Sequence, residues 1–144
     1  MTFSIRKSTI DDFSSIWSLL KQLFIKDKIS KTKTQKLYLN SLNNTESIEL
    51  VLELKNKIIG YAAIKFRSDI QVQGQIGYLS ELIINEPYRG KGYGTKFLKD
   101  IFSILKKLKC KELHFPSTFK RKKAHKFYEK LRFNKTAYFL WKKI

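Results

Sequence analysis

A single cysteine, Cys110, stands in 144 residues. A disulfide framework and a cysteine-based metal cluster are thereby excluded, and a reducing cytoplasmic compartment is expected. Histidine is almost as scarce, with only His114 and His125; without an acidic cluster beside them they argue against a dedicated metal site. No stretch approaches the roughly 18 uninterrupted apolar residues of a membrane span. The opening "MTFSIRKSTIDDF" lacks the apolar centre of a secretory signal. Acidic residues are few as well, 12 against 30 Lys and Arg, for a formal net charge of +18.

What is present describes a folded protein. Apolar residues make up 42% and aromatic residues 14%, enough for a packed core and too much for a disordered tail. The length fits one domain over residues 1–144 with a single core, and hence one site. Dense positive charge invites a nucleic-acid partner, because Lys and Arg gain affinity by displacing phosphate counterions. Against that, 25 of the 30 basic residues are Lys and only five are Arg, a bias that genome composition alone produces. The charge is uneven: residues 1–72 carry 12 basic and 7 acidic groups (+5), and residues 73–144 carry 18 and 5 (+13). A polyanion would meet the C-terminal half.

Periodicity outlines the elements. "TFSIRK" reads as a strand, and Thr9 with Asp12 three residues on marks a helix start. Phe13, Ile16, Trp17, Leu20, Leu23 and Phe24 then recur at helical spacing. A weaker helix is expected over residues 35–42. "SIELVLELKNKIIGYAAIKF" reads as a hairpin turning at Lys55-Asn56, followed by a polar connection "SDIQVQGQIG" and a strand "YLSELIIN". A helix from Thr95 to about Lys109 has Phe97, Leu98, Ile101, Ile104, Leu105 and Leu108 on one face. "KELHF" is expected as a strand, "KKAHKFYEKL" as a helix and "NKTAYFLWKKI" as a closing strand. The alternation of elements implies a mixed α/β sheet.

The chemistry-bearing stretch is "EPYRGKGYGTKFLKDI", residues 86–101. Unpaired N–H groups at a helix start, with the helix dipole behind them, attract anions, and glycines let a phosphate approach the backbone. Gly90, Gly92 and Gly94 stand between a strand and a helix, with Arg89 and Lys91 adding charge. The expected ligand is a phosphate or pyrophosphate. A P-loop needs Ser or Thr after its Gly-Lys pair, and here Gly92 follows Lys91. The dinucleotide fingerprint needs a sixth-position glycine, where Thr95 or Phe97 stands. The pattern that fits is Arg-x-x-Gly-x-Gly, on Arg89, Gly92 and Gly94.

With this motif the chain resembles the GNAT family of N-acetyltransferases. "ELIINEPYRGKGYGTKFL" is similar to its acetyl-CoA motif, "AHKFYEKLRF" to its C-terminal signature and "FSIRKSTIDD" to its usual opening. The ending "STFKRKKAHKFYEKLRFNKTAYFLWKKI" resembles the subgroup containing aminoalkylphosphonate N-acetyltransferases. The resemblance implies a GNAT fold: a mixed, mostly antiparallel sheet flanked by about four helices, splayed between the fourth and fifth strands, after Leu82. It implies acetyl-CoA as cosubstrate, its pyrophosphate on Arg89, Gly90, Lys91, Gly92, Tyr93, Gly94 and Thr95, and its pantetheine arm along Leu82, Ile83 and Ile84. Two departures stand out: Arg132 replaces the family's usual Gly, and Arg121 a frequent Asn.

Acetyl transfer to an amine needs a proton acceptor for the ammonium, a donor for the oxyanion and a proton for the leaving thiolate. Glu81, acidic within the apolar run "YLSELII", is the candidate base; the alternative is an outward strand residue paired with a lysine. By the resemblance Tyr128 protonates the thiolate, and a phenol titrating near 10 stays protonated at neutral pH; the alternative is core packing. The amide near Ile83 is the expected oxyanion donor. His114 reads as a polar strand position, His125 as a solvated helix face and Cys110 as incidental, although lysines beside it favour a thiolate. The expected partner is a small-molecule amine, with an anionic group favoured over a polycation by the charge, and no membrane. A protein N-terminus or lysine is the alternative acceptor. A basic ribosome- or nucleic-acid-associated module is the rival class, less favoured because the aromatics of "FKRKKAHKFYEK" fall on the family motif. Homodimerisation is left open.

Overall fold

A computed structural model describes residues 3–117, 119 and 121–144. Five strands form one sheet in the order β1-β2-β3-β4-β5: β1 (Phe3–Lys7), β2 (Ser47–Leu54), β3 (Lys57–Asp69), β4 (Gly74–Ile84) and β5 (Cys110–His114). Neighbours are antiparallel except β4 and β5, which are parallel. The helix α3 (Tyr93–Lys107) lies between those two strands in the chain, and a parallel pair requires such a crossover. The other helices are α1 (Phe13–Leu23), α2 (Lys31–Leu42) and α4 (Lys122–Lys130). This is the mixed, mostly antiparallel sheet with four helices that the resemblance implies.

Local chemistry explains the joints. Lys55 and Asn56 both take positive φ, 51° and 63°, the twist that a two-residue hairpin needs and that Asn tolerates. Before α1, the Thr9 N–H donates to Asp12 Oδ2 at 2.7 Å, and Arg6 grips the same carboxylate with two bonds of 2.7 and 2.9 Å. Ser30 caps α2 by accepting the Lys33 N–H, so that helix starts at Lys31, earlier than its apolar pattern shows.

Each face of the sheet buries a different set. Val51, Tyr61, Ala63 and Ile83 pack with Phe13, Ile16, Leu19 and Leu20 of α1 and Tyr38 of α2. Leu50, Leu52, Ala62 and Ile64, the alternate strand positions, are just as buried. On that second side lie Phe97, Leu98, Ile101 and Leu105 of α3, also buried.

Two expectations need correction. "SDIQVQGQIG" is not a free connection: β3 and β4 stay paired out to Asp69 and Gly74 and turn within residues 70–73. Backbone pairing continues there after the apolar alternation has ended, and periodicity cannot see it. The closing strand over "NKTAYFLWKKI" does not form. Tyr138, Phe139, Leu140 and Trp141 are 63–86% exposed, and a lone segment that neither pairs nor buries one face gains nothing from extension. The chain divides into two compact units, Met1–His114 and Phe115–Ile144. The first holds the sheet with α1–α3, and the second holds α4.

Candidate active site

The site in the first unit begins with an irregularity in β4. Opposite β3, Ala63 faces Glu81 but Ile64 faces Leu79, so Ser80 is an extra residue on β4. Such a bulge re-aims the side chains that follow it. Leu79 shares the α3 side with Ile64, whereas Glu81 joins Ala63 on the α1 and α2 side. Without the extra residue, Glu81 would repeat the orientation of Leu79.

On that side Glu81 is partly buried. Burial, then the negative charge of Glu49, push its carboxyl up to about 7, against the pull of Lys65. Among the described residues none hydrogen-bonds this carboxyl. A group that titrates near neutrality with free lone pairs can take a proton from an ammonium ion. Its expected alternative, a surface glutamate held by a lysine, fits neither the burial nor the raised value.

Just before the bulge β4 loses one neighbour. β5 pairs with β4 only over Gln75–Tyr78, while β4 continues to Ile84, so the splay opens earlier in the strand than Leu82. Leu82, Ile83 and Ile84 pair with Ala62, Tyr61 and Gly60 of β3 on one edge. Among the described residues no strand occupies the other edge.

After Ile84 a short 3-10 turn, Glu86–Tyr88, leads into the glycine loop. Gly90 and Gly92 have φ of 72° and 89°, and a Cβ added at either would meet nothing within 4 Å. The backbone is therefore both left-handed and uncovered. The helix starts at Tyr93, with Gly92 as its cap, two residues before the expected Thr95. The first bond to the cap is Lys96 N–H to Gly92 O at 3.1 Å, so the amides of Tyr93, Gly94 and Thr95 have no helical acceptor. Lys91 is exposed beside them.

Arg89 sits otherwise than its charge suggests. Its Nε donates to the Ile84 carbonyl at 2.8 Å and its Nη2 to Gln22 Oε1 at 3.1 Å. Gln22 Oε1 also accepts the Glu86 N–H, and its Nε2 donates to Asn85 Oδ1. Gln22, at the end of α1, thus fastens the loop entrance, a role that sequence reading missed. Its signal was faint: a polar residue between Lys21 and Leu23, indistinguishable from a solvated position.

Glu49 was missed as well. It is 5% exposed, accepts a short hydrogen bond from the Tyr61 hydroxyl and has Lys65 Nζ 3.7 Å away. In "SIELVLEL" it alternates with Val51 on one face, and the burial of Val51 is the clue that Glu49 points inward. Its polar partners come from another strand.

A family model for GNAT acetyltransferases matches residues 13–133. The chain belongs to the GNAT acetyltransferase family. As a member it is an acetyl-CoA-dependent N-acetyltransferase. Solved structures agree in fold. A glucosamine-6-phosphate N-acetyltransferase from Arabidopsis thaliana has a TM-score of 0.80 at 20% identity, with 99% of each chain covered. A possible acetyltransferase from Clostridium difficile has 0.86 at 15%, covering 100% of this chain and 98% of that one. An aminoglycoside 6'-N-acetyltransferase from Acinetobacter baumannii has 0.83 at 14%, covering 99% and 98%. Among the described residues no helix is long and apolar enough to cross a membrane.

The second unit carries the other candidate of this GNAT chain. Tyr128 lies on α4, half-buried, with the rings of Phe115, Phe127 and Phe133 centred 4.6, 5.4 and 5.7 Å from its own. Burial pushes its phenol up, opposed by the Arg121 charge, so it keeps its proton at neutral pH. The aromatic cage is the core packing that was the expected alternative, and it leaves the phenol its proton. Arg132, where the family usually has Gly, takes φ of 64°, so the helix-end turn stays left-handed and is not altered by the replacement, although Arg tolerates that conformation poorly. His114 accepts or donates one bond with Glu112 at 2.7 Å. Burial raises the Cys110 thiol, which reverses the expectation that nearby lysines favour its thiolate.

Proposed function

We propose that residues 1–144 act as one N-acetyltransferase domain, cytoplasmic, transferring the acetyl group of acetyl-CoA to the primary amine of a small metabolite that carries an anionic group. The observation that carries this reading is Glu81, a carboxyl pushed to about 7 on a strand whose neighbouring edge is open. The loop supports acetyl-CoA binding: two left-handed glycines with open space in front of them and a run of helix-start amides suit a pyrophosphate. Gly90, Lys91, Gly92, Tyr93, Gly94 and Thr95 would hold it, while Arg89, engaged with Ile84 and Gln22, fastens the loop that presents them. The edge at Leu82, Ile83 and Ile84 offers backbone partners to the pantetheine arm.

Bound acetyl-CoA supplies an activated acetyl thioester. Glu81 takes one proton from the ammonium and releases it to solvent. The freed amine nitrogen bonds to the acetyl carbon as the carbon–sulfur bond breaks, and the emptied Glu81 carboxylate takes the second nitrogen proton. The Ile83 amide steadies the charge that develops on the carbonyl oxygen. Tyr128 gives its phenolic proton to the leaving sulfur and recovers one from solvent.

The anionic group rests on charge. A protein of +18, with +13 in its C-terminal half, attracts anionic amines and repels polycations over a screening length of roughly 8 Å at physiological salt. Aminoalkylphosphonates, towards which the C-terminal sequence leans, belong to this class. The test is thiol release from acetyl-CoA with an aminoalkyl phosphonate and with its neutral amino-alcohol counterpart, each at two ionic strengths. The phosphonate is expected to react faster, with a rate that falls as salt rises. Faster turnover of the neutral compound at both salts would defeat the anionic acceptor, and reaction only with basic peptides would move the acceptor to a protein amine.

A further inference from the structure

A carboxylate that is 5% exposed, as Glu49 is, is costly to bury unless it is paired. Glu49 is paired by the Tyr61 hydroxyl and by Lys65 Nζ at 3.7 Å, and the Ser41 side chain also favours its charged form. Lys65 is tied in turn to the end of α2, donating to Ser41 Oγ at 2.7 Å. These bonds tie β2 to β3 and β3 to the end of α2 through side chains 12 to 24 residues apart, so the set is an anchor and not a turn or cap. The anchor fixes where one negative charge sits.

The strand registers determine what that charge faces. Glu49 is opposite Ala63 on β3, and Ala63 is opposite Glu81 on β4. The three residues form one row across the sheet, on one face. Two strand spacings put the backbones of the two glutamates roughly 9.5 Å apart, and the side chain between them is a single methyl, 1% exposed. The row exists only because of the bulge at Ser80.

We propose that Glu49 is a positioning residue for Glu81: held by Tyr61 and Lys65 in line across Ala63, its fixed charge keeps Glu81 the better proton acceptor of the two. The inference rests on the reading of Glu81 as the base. The division of labour follows from the partners. Glu49 has a hydroxyl donor and a cation, which favour its charged form against the upward push of burial. Glu81 has neither donor nor bonded cation among the described residues, so the proton of the pair resides there. Two coupled carboxyls share their titration, and unequal partners decide which one carries the proton.

The groups around Glu81 are few. From β2 comes Glu49, and from β3 come Lys65 and the buried Tyr61 hydroxyl, which Glu49 occupies. α1 has one titratable residue, the exposed Lys21, and α2 has the buried Tyr38 with exposed Lys31, Lys33 and Lys36. The pairing of β5 ends at Tyr78, short of Glu81. Among the described residues the charges that shift it are Glu49, upwards, and Lys65, downwards.

Those opposite senses make the test. In protein labelled with 13C at the glutamate carboxyl carbons, free of substrate, the Glu81 resonance is assigned by its loss in Glu81→Gln and titrated by NMR. Its wild-type midpoint is expected at about 7. Glu49→Gln should lower the midpoint by about one pH unit, the effect of one charge at this separation in a protein-like dielectric. Lys65→Met, at a side chain 44% exposed and safe to truncate, should raise it. A midpoint that stays put or rises in Glu49→Gln overturns the proposal, and if that variant does not fold, an unmoved midpoint in Lys65→Met overturns it. The acid limb of kcat/KM separates this from the reading of Glu81 itself. If the NMR midpoints move as expected and the limb does not follow, Glu81 is not the base, while the hold of Glu49 on its proton stands.

Discussion

Glu81→Gln is expected to make the protein more stable at alkaline pH, because the native fold holds this carboxyl where it resists ionisation. Its value rises from 4.5 to about 7 on folding, with burial as the first cause and the charge of Glu49 as the second. A raised carboxyl binds its proton more tightly in the folded state, so its stabilising contribution is complete below the ordinary value and is lost as pH climbs through about 7. The full shift corresponds to about 3 kcal/mol, and the part lost between pH ~5 and ~8 is about 2.5 kcal/mol as an upper bound. Partial exposure and local relaxation bring a realistic figure to about 1–2 kcal/mol, or roughly 3–8 °C in Tm for a chain of this size. Asp12 runs the other way: the Arg6 hydrogen bonds hold it below its ordinary value, so its contribution is lost only as pH falls through that lowered value, well outside this window. Urea denaturation of both proteins across the series isolates position 81. The variant and the wild type should match near pH ~5, and the variant should lead increasingly towards pH ~8. Parallel stability curves would refute the buried, raised carboxyl, whatever the activity shows. In the same variant, turnover should fall near neutral pH and recover in part as the amine deprotonates unaided.

Gly94 occupies the second position of α3, so Gly94→Val changes helix propensity by only a few tenths of a kcal/mol; calorimetry should nevertheless show acetyl-CoA binding weakened about tenfold or more, about 1.4 kcal/mol, and unchanged affinity in the folded variant would remove the loop from the cosubstrate site. Tyr128→Phe keeps the ring contacts with Phe115 and Phe133 and removes the proton; kcat should drop with little change in acetyl-CoA affinity, and undiminished kcat would reduce Tyr128 to packing. Arg132, at φ 64°, bears a left-handed penalty of about 1 kcal/mol, so Arg132→Gly should raise the stability of its unit by about 0.5–1 kcal/mol, read by hydrogen exchange at α4; no gain in protection would mean that the turn is not strained. Lys109 after α3, at φ 62°, should respond to Gly in the same direction in a denaturant melt.

The fold was legible wherever one face is buried and the pattern is local. α1 and α3 announce themselves by apolar spacing, and the hairpin by Lys55-Asn56 between two β-branched runs. The errors share a physical cause. β3 and β4 extend past their apolar residues because a ladder is held by backbone bonds, which composition does not encode. "TAYFLW" has the composition of a strand and is not one, because strand formation needs an edge to pair with, and no local pattern supplies it. α3 starts early because Gly92 caps it through its φ, not through a side chain.

The site divides along the same line. The glycine loop could be read directly, since a left-handed turn demands a residue type at a position, whereas Arg132 holds such a turn with a residue that disfavours it. The electrostatics could not, because Glu49 and Glu81 meet only through two registers and one extra residue at Ser80. The overall charge would have suggested the wrong sign. A field of +18 favours a carboxylate and should lower its pKa, yet Glu81 is raised. The lysines are mostly exposed and act through salt water, which screens them beyond roughly 8 Å. Burial acts on the carboxyl itself, and Glu49 acts through protein at roughly two strand spacings, where one charge outweighs many screened ones. On the proposed mechanism the lysines govern which molecules approach the protein, and a pair of carboxylates in the sheet governs what happens to the amine that arrives.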